Sequence, residues 1–355
     1  MTIDACDAAD LLSKLTPWLV QFVPQIGAPV TLTKFSVGQS NPTYELVTAQ
    51  GRYVVRTQPA GILLKSAHAV DREFKVMAAL RNSAVPVPEM IAICDDGNII
   101  GRKFFVMEKI DGVTVFDPTL YAYAAPDRTR LYHHQLDILA ALAELDPAAI
   151  GLADFGRPAG YLDRQFTIWT RQYRASQTDD LADMEFLMAY LGDALNADLP
   201  GLCVIHGDFR LDNMLLQDGI HIRALIDWEL STLGPAFIDL SYWCAMLRMH
   251  HDWPISGLGG VDRTQLGIPP EADLVRQFCT RTGLHMPTNW EALIAFQCFR
   301  FAAILQGVRK RQRDGNASAS NAAAIGNQAA PMATLGADIL RTHLATRYRP
   351  ATGGQ

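Results

Sequence analysis

Hydrophobic positions change their rhythm once along the chain. Up to about residue 110 they come as short β-branched or aromatic runs, Thr31 to Val37, Thr43 to Thr48 and Arg52 to Thr57, separated by Gly38-Gln-Ser-Asn-Pro42 and Gln50-Gly51. Runs of that length between turn-forming residues predict a three-stranded antiparallel meander. Val70, Phe74 and Met77 then recur at helical spacing, which predicts a helix over residues 66–80 with Ser66 as its N-cap. Val85-Pro-Val-Pro88 forbids helix, and Met90 to Cys94 and Lys103 to Ile110 predict two more strands around the turn Asp95-Asp-Gly-Asn98. The expectation is a small unit of five strands and one helix.

After Asp111-Gly112 the apolar spacing turns helical, over residues 127–145, 163–176, 183–195, 271–282 and 289–311. Three short strand-like stretches, 202–205, 214–216 and 221–226, interrupt it around polar turns. Residues 316–330, rich in Ala, Ser and Asn, predict a loosely packed connection. The pattern therefore divides the chain into residues 1–112, with the sheet, and residues 113–355, mainly helical.

Composition narrows the possibilities. With 355 residues, 49% of them hydrophobic, the chain can bury a sizeable core, which excludes a disordered or fibrous protein. Lysine and arginine total 31 against 37 acids, so no broad basic face for nucleic acid is expected. The start, Met1-Thr-Ile-Asp-Ala-Cys-Asp7, carries acids where a secretory signal carries bases, and no apolar run approaches the roughly 20 residues that span a bilayer. A soluble, cytoplasmic protein without a membrane partner is expected. Cysteines 6, 94, 203, 244, 279 and 298 form no CxxC pair and read as reduced thiols.

The densest chemistry lies at His206-Gly-Asp-Phe-Arg-Leu-Asp-Asn213, with Asp227 following in Ala224-Leu-Ile-Asp-Trp-Glu229. Strands flank both segments, so a hairpin return can bring Asp208, Asn213 and Asp227 to one place. Phosphoryl transfer needs such a set: one carboxylate to orient an attacking hydroxyl, and an amide and a second carboxylate as hard ligands for magnesium. A polar turn would explain any one of these residues alone. A dinuclear metallohydrolase, the other chemical reading of His206-Gly-Asp208, wants more histidines than His206 and His221.

These motifs resemble the protein-kinase-like superfamily, and within it the aminoglycoside phosphotransferase and choline kinase group. The resemblance implies an α+β, bilobal protein-kinase-like fold with ATP between the lobes. The small N-lobe would hold a five-stranded antiparallel sheet and one helix, and the larger C-lobe would be mainly helical. It implies that Asp208 is the catalytic base, that His206 braces the loop, and that Asn213 and Asp227 bind Mg2+. Arg56, in Tyr53-Val-Val-Arg56, and Glu73, in Asp71-Arg-Glu-Phe74, stand where similar enzymes pair a phosphate-gripping cation with a helix glutamate. A guanidinium can take that part through its planar fork. Lys65 is the competing cation. Gly38, Ser40 and Asn41 join two strands where backbone amides can approach phosphates, although the loop has neither a G-x-G-x-x-G nor a Walker lysine pattern. Phe104-Phe-Val-Met-Glu-Lys-Ile-Asp-Gly112 is similar to the hinge strand of this group, which implies adenine against the backbone of Glu108 and Ile110 with Met107 behind it.

Ser66-Ala-His-Ala-Val-Asp-Arg-Glu73, Trp228-Glu-Leu-Ser-Thr-Leu-Gly234 and Phe299-Arg-Phe-Ala-Ala-Ile-Leu-Gln-Gly307 are similar to the branch that also occurs fused to acyl-CoA dehydrogenases. The resemblance extends from Gly38 to Asn316-Ala-Ser318 and implies a hydroxylated small-molecule acceptor, an acyl-CoA ahead of an aminoglycoside, in a chain without the dehydrogenase part. Gly234-Pro-Ala-Phe-Ile-Asp239 keeps the second aspartate of that group's Gly-Asp-Pro-Leu-Ala-Asp and lacks the first. Asp239 is expected to order the catalytic loop through backbone hydrogen bonds. An aminoglycoside site would call for an acidic run that the helical part lacks, whereas Arg248, Arg300, Arg309, Lys310, Arg311 and Arg313 offer cations for the phosphates of CoA. Trp169, Tyr173, Trp243 and Trp253 are candidates for the acceptor pocket. A non-catalytic nucleotide-binding module is the competing class, and retention of Asp208, Asn213 and Asp227 speaks against it.

Overall fold

A computed structural model of the chain describes residues 3–35, 41–59, 69–157, 159–196, 199–315 and 321–347. The first elements are α1 (Ile3–Phe22), β1 (Pro29–Lys34), β2 (Thr43–Thr48), β3 (Arg52–Thr57), α2 (Val70–Leu80), β4 (Met90–Cys94), α3 (Gly97–Ile100) and β5 (Phe104–Glu108). Next come α4 (Ala125–Glu144), α5 (Tyr161–Ser176), α6 (Ala182–Ala194), β6 (Leu202–Ile205), β7 (Met214–Gln217), β8 (His221–Leu225) and β9 (Thr232–Pro235). The chain ends in α7 (Phe237–Arg248), α8 (Arg263–Leu266), α9 (Glu271–Thr282), α10 (Trp290–Arg313), α11 (Ala322–Gly326) and α12 (Ala329–Arg347).

Two compact units emerge. The first comprises Met1–Thr114, Ile150–Leu152 and Asn213–Ser231; the second comprises Val115–Ala149, Ala153–Asp212 and Thr232–Gln355.

The first unit is built on an antiparallel sheet of order β1-β2-β3-β5-β4. In β2 the buried residues alternate, Tyr44, Leu46 and Thr48, as a sheet with one covered face requires. The cover includes α1, whose Leu11, Leu15, Trp18 and Leu19 recur at helical spacing and pack on Leu46, Val55 and Phe104. Trp18 meets Phe104 edge to face at 4.9 Å between centroids. The expectation of a single helix here is corrected: α1 and the short α3 join α2. Pro17 inside α1 masks a helix that its apolar stripe nevertheless specifies. The hairpin of β7 and β8 belongs to this unit too, because Val113 and Leu216 exchange backbone hydrogen bonds of 2.9 Å and Leu225 donates to Pro86 at 2.8 Å. Helix α2 starts at Val70 with Ala69 as its cap, and Ser66 lies outside the described residues.

The second unit is helical around α10, which packs against α5, α6, α7, α11 and α12. By length and hydropathy α10 matches a membrane-spanning helix, yet its apolar stretch is mostly buried in protein, as in a core helix. Sequence spacing missed α7 and α12. All residues from Phe237 to Leu247 are buried, so α7 has no polar face and no amphipathic period. The connection expected over 316–330 instead enters helices α11 and α12 within its described part. Strands β6 and β9 pair antiparallel and set the segments around His206 and Asp239 side by side. Among the described residues, Cys94, Cys203, Cys244, Cys279 and Cys298 are free thiols, as expected.

Leu15 is fully buried. Leu15→Ala should therefore lower unfolding stability by about 2–5 kcal/mol in urea titration. A loss below about 1 kcal/mol would show that α1 does not belong to the folded core.

Candidate active site

In the first unit Arg56 reaches out of β3 and spans two acids. Its Nε donates to Glu73 Oε2 of α2 at 2.8 Å, and its Nη2 to Asp227 Oδ1 at 2.6 Å. Nη1 meets Thr43 Oγ1 at 3.4 Å, so each guanidinium nitrogen has a partner. Arg56 and Glu73 are 13% and 2% exposed, and such depth makes pairing obligatory. Burial works against the Arg56 charge, but Glu73, Asp227 and Glu229 outweigh it. Burial likewise pushes Glu73 up to about 7, helped by the negative charges of Asp227 and Glu229 and opposed by Arg56. Asn41, almost fully buried, donates from Nδ2 to Glu229 Oε2 at 3.4 Å. Gly38, Ser40 and Lys65 lie outside the described residues.

Asn213 and Asp227 flank the open end of the β7–β8 hairpin, tied by Ile226 N donating to Asn213 O at 2.9 Å. Asp227 has φ 68° and ψ 58°, a left-handed backbone that costs a non-glycine residue energy and turns its side chain out of the strand course. The following turn is braced by Trp228 Nε1 on Leu225 O (2.9 Å) and Ser231 Oγ on Trp228 O (2.6 Å). An amide and carboxylates at one hairpin mouth, one of them about a third exposed, are hard oxygen donors of the kind magnesium takes.

The expected hinge is at the end of β5. Met107 is half-buried opposite Val54, Glu108 is exposed with its amide donating to Glu89 O at 2.9 Å, and Ile110 follows the strand.

In the second unit the loop after β6 is held by α7. Asp239 Oδ2 accepts from His206 N at 2.5 Å and Oδ1 from Gly207 N at 2.9 Å, the contacts expected of Asp239. Burial raises Asp239, against the pull of those amides, His206 and Arg300. Gly207 has φ 85°, which glycine adopts without strain. Its carbonyl accepts from Arg300 Nη2 at 2.6 Å. Buried His206 receives the Asp208 amide on Nδ1 at 3.2 Å. Asp208 Oδ1 takes a 2.5 Å hydrogen bond from Tyr242 Oη, and Arg210 Nε lies 4.0 Å away. Burial pushes the Asp208 carboxyl up, but Arg210, Tyr242, His206 and Arg300 outweigh it and hold it below its ordinary value. The chain passes from this unit to the first between Asp212 and Asn213.

Tyr242, Arg210 and Arg300 escaped sequence reasoning as partners of Asp208. Arg300 had been expected among cations for CoA phosphates; it is instead buried between the Trp169 and Tyr242 rings, 5.5 and 5.2 Å from their centroids. Other cations of that set pair internally: Arg309 and Arg313 with Asp179, Lys310 with Asp314, and Arg248 with Glu271 and Glu291. Of the aromatic candidates, Trp243 lines a cavity with Phe116, Tyr132, Met246, Leu247, Arg210 and Asp212, while Tyr173 is core.

A sheet unit in which a buried arginine clamps two acids and a helical unit carrying a braced aspartate loop are the arrangement of a kinase-like phosphotransferase. The chain belongs to the phosphotransferase enzyme family, whose model matches residues 31–275. It is 40% identical over 313 residues to acyl-CoA dehydrogenase family member 10 of Mus musculus, covering 88% of this chain and 29% of that protein. The chain spans less than half the length of such curated relatives. A crystal structure from Ralstonia eutropha JMP134, described as an aminoglycoside phosphotransferase by assignment, superposes with TM-score 0.85 at 37% identity, over 93% of this chain and 98% of that one. The ADP and hygromycin B complex of a thermostable mutant of aminoglycoside phosphotransferase APH(4)-Ia has TM-score 0.58 at 16% identity over 96% of this chain and 100% of that one, a likeness of fold alone. With the family established, the chain is a phosphotransferase whose acceptor is a hydroxyl group.

Glu73 supplies a pH test. A folded-state pKa near 7 against an ordinary 4.5 means that the fold binds the extra proton, so stability from this group is full below about 4.5 and lost as pH rises through about 7. Relative to Glu73→Gln, wild-type stability should drop by roughly 1–3 kcal/mol across that window in urea titrations. A difference that stays constant with pH would contradict the buried, proton-retaining carboxyl.

Proposed function

We propose that the chain transfers the γ-phosphoryl group of ATP, in the presence of Mg2+, to the hydroxyl of a small acceptor of the hydroxyacyl-CoA class. The observation that carries the reading is Asp208, a half-buried carboxyl kept ionised by Arg210, Arg300 and the Tyr242 hydroxyl on a loop pinned by Asp239. An ionised carboxylate at that place accepts or orients the proton of an attacking hydroxyl. Asn213 and Asp227 would hold the magnesium, with Glu229 beside them. The ion supplies neutralisation of phosphate charge. Arg56, with Asp227 as one of its partners, keeps that acidic site from repelling a triphosphate and steadies its tail. Asn41 and the hinge residues Met107, Glu108 and Ile110 would hold the nucleotide. The ADP complex of the APH(4)-Ia fold is in keeping with nucleotide use.

The cavity beside Arg210, about 50 Å³, has room only for a small apolar group of an acceptor. Its lining is mostly Phe116, Tyr132, Trp243, Met246 and Leu247, and its one acid, Asp212, is already paired with Arg210. A polycation such as an aminoglycoside would find little to neutralise it there. The acyl-CoA class is further supported by the relative named for acyl-CoA dehydrogenation. Since most of the late-helix cations are engaged internally, recognition would rest on the acyl portion more than on CoA phosphates.

Asp208→Asn should lower turnover of ATP with a hydroxyacyl-CoA panel by about 10²–10⁴-fold. Binding of an ATP analogue, measured calorimetrically, should change less than about threefold, because base removal leaves phosphate contacts intact. Retained turnover would remove Asp208 from the chemistry.

A further inference from the structure

The loop after α7 carries a cluster that phosphoryl transfer does not use. Residues 249–262 are pinned by their backbone: His251 N donates to Gly259 O at 3.0 Å, Gly259 N to Met249 O at 2.7 Å and Leu258 N to Leu247 O at 2.9 Å. Gln328 holds the same loop from outside, exchanging 2.9 and 3.0 Å bonds with the Ile255 backbone. On this frame the His250 and His251 rings lie 4.6 Å apart, and one ligand atom each from His250, His251 and Asp252 falls within 4.8 Å of the others.

We propose that His250, His251 and Asp252 form a binding site for a divalent transition-metal ion of the zinc class. His251 Nδ1 sits 3.0 Å from the Gly259 carbonyl, which can only accept, so that nitrogen carries the hydrogen. Nε2 then presents its lone pair, and what it faces at 3.0 Å is Asp252 Oδ1, another lone-pair donor. Two such atoms repel unless a positive charge lies between them. A proton would suffice for those two; the adjacent His250 ring, whose Nδ1 accepts from the Asp252 amide at 3.3 Å, adds through Nε2 a third ligand that a proton does not need.

The carbonyl bond to the non-ligating nitrogen is the outer support that orients metal-bound imidazoles. Gly260 completes the cradle: a Cβ there would come within 2.7 Å of His250 Nε2 and 3.2 Å of His251 Nδ1. Two imidazoles and one carboxylate select zinc, nickel or copper over magnesium. The same loop lends Ile255 and Ser256 to the cavity beside Arg210, so a bound ion stiffens one wall of it.

Calorimetric titration of Zn2+ into the nucleotide-free chain should give a saturable event that His251→Ala and Asp252→Asn each weaken by at least about tenfold. Asp252→Asn keeps the shape of an exposed side chain and so separates ligand loss from misfolding. Asp227→Asn should leave this affinity unchanged, which distinguishes the ion from magnesium at the hairpin. With Cu2+ as probe, electron paramagnetic resonance should show two imidazole nitrogens. No saturable binding, or binding that survives Asp252→Asn and His251→Ala at wild-type strength, would overturn the site and leave a proton between His251 and Asp252.

Discussion

The guanidinium of Arg56 is the constraint on which the first unit depends. It is a buried cation on β3 holding Glu73 from α2 and Asp227 from the hairpin, residues 17 and 171 positions away in sequence. A buried charge without partners costs several kcal/mol, whereas an isolated exposed pair would be worth little. Sheet, helix and hairpin are therefore held in one arrangement by a charge that none of them can leave. Burial, in a cluster with more acid than base, forces Glu73 towards its neutral form, while Asp227 stays about a third exposed.

The second unit solves the opposite problem for Asp208. There burial alone would neutralise the carboxyl, and Arg210, Arg300, His206 and Tyr242 reverse that effect. Asp239 and Arg300 grip the same residue from two sides, Asp239 at the Gly207 amide and Arg300 at the Gly207 carbonyl. One carboxyl is held up and another held down: Glu73 is fully buried among further acids, whereas Asp208 is about a third exposed and faces Arg210, His206 and Arg300.

How much of this is legible in the sequence follows from which forces are local. Strands β2, β3 and β4 match the predicted ranges because alternating burial and turn residues are local signals. The His206 to Asn213 and Asp227 motifs stand out because short strands isolate them. Helix α7 does not, since a helix buried all round loses the period that reveals an amphipathic one, and with it went Tyr242. Arg300 and Arg313 read as free cations in sequence; their partners, Gly207 and Thr178 with Asp179, lie 93 to 135 residues away. Long-range pairing of charges leaves no pattern in one chain.

The central claim is phosphoryl transfer to a hydroxyl, and 31P nuclear magnetic resonance observes it directly. The chain incubated with ATP, Mg2+ and a hydroxyacyl-CoA panel should produce a new phosphomonoester resonance in step with ADP. Unchanged ATP across that panel and across other small alcohols, or release of inorganic phosphate alone, would contradict the account.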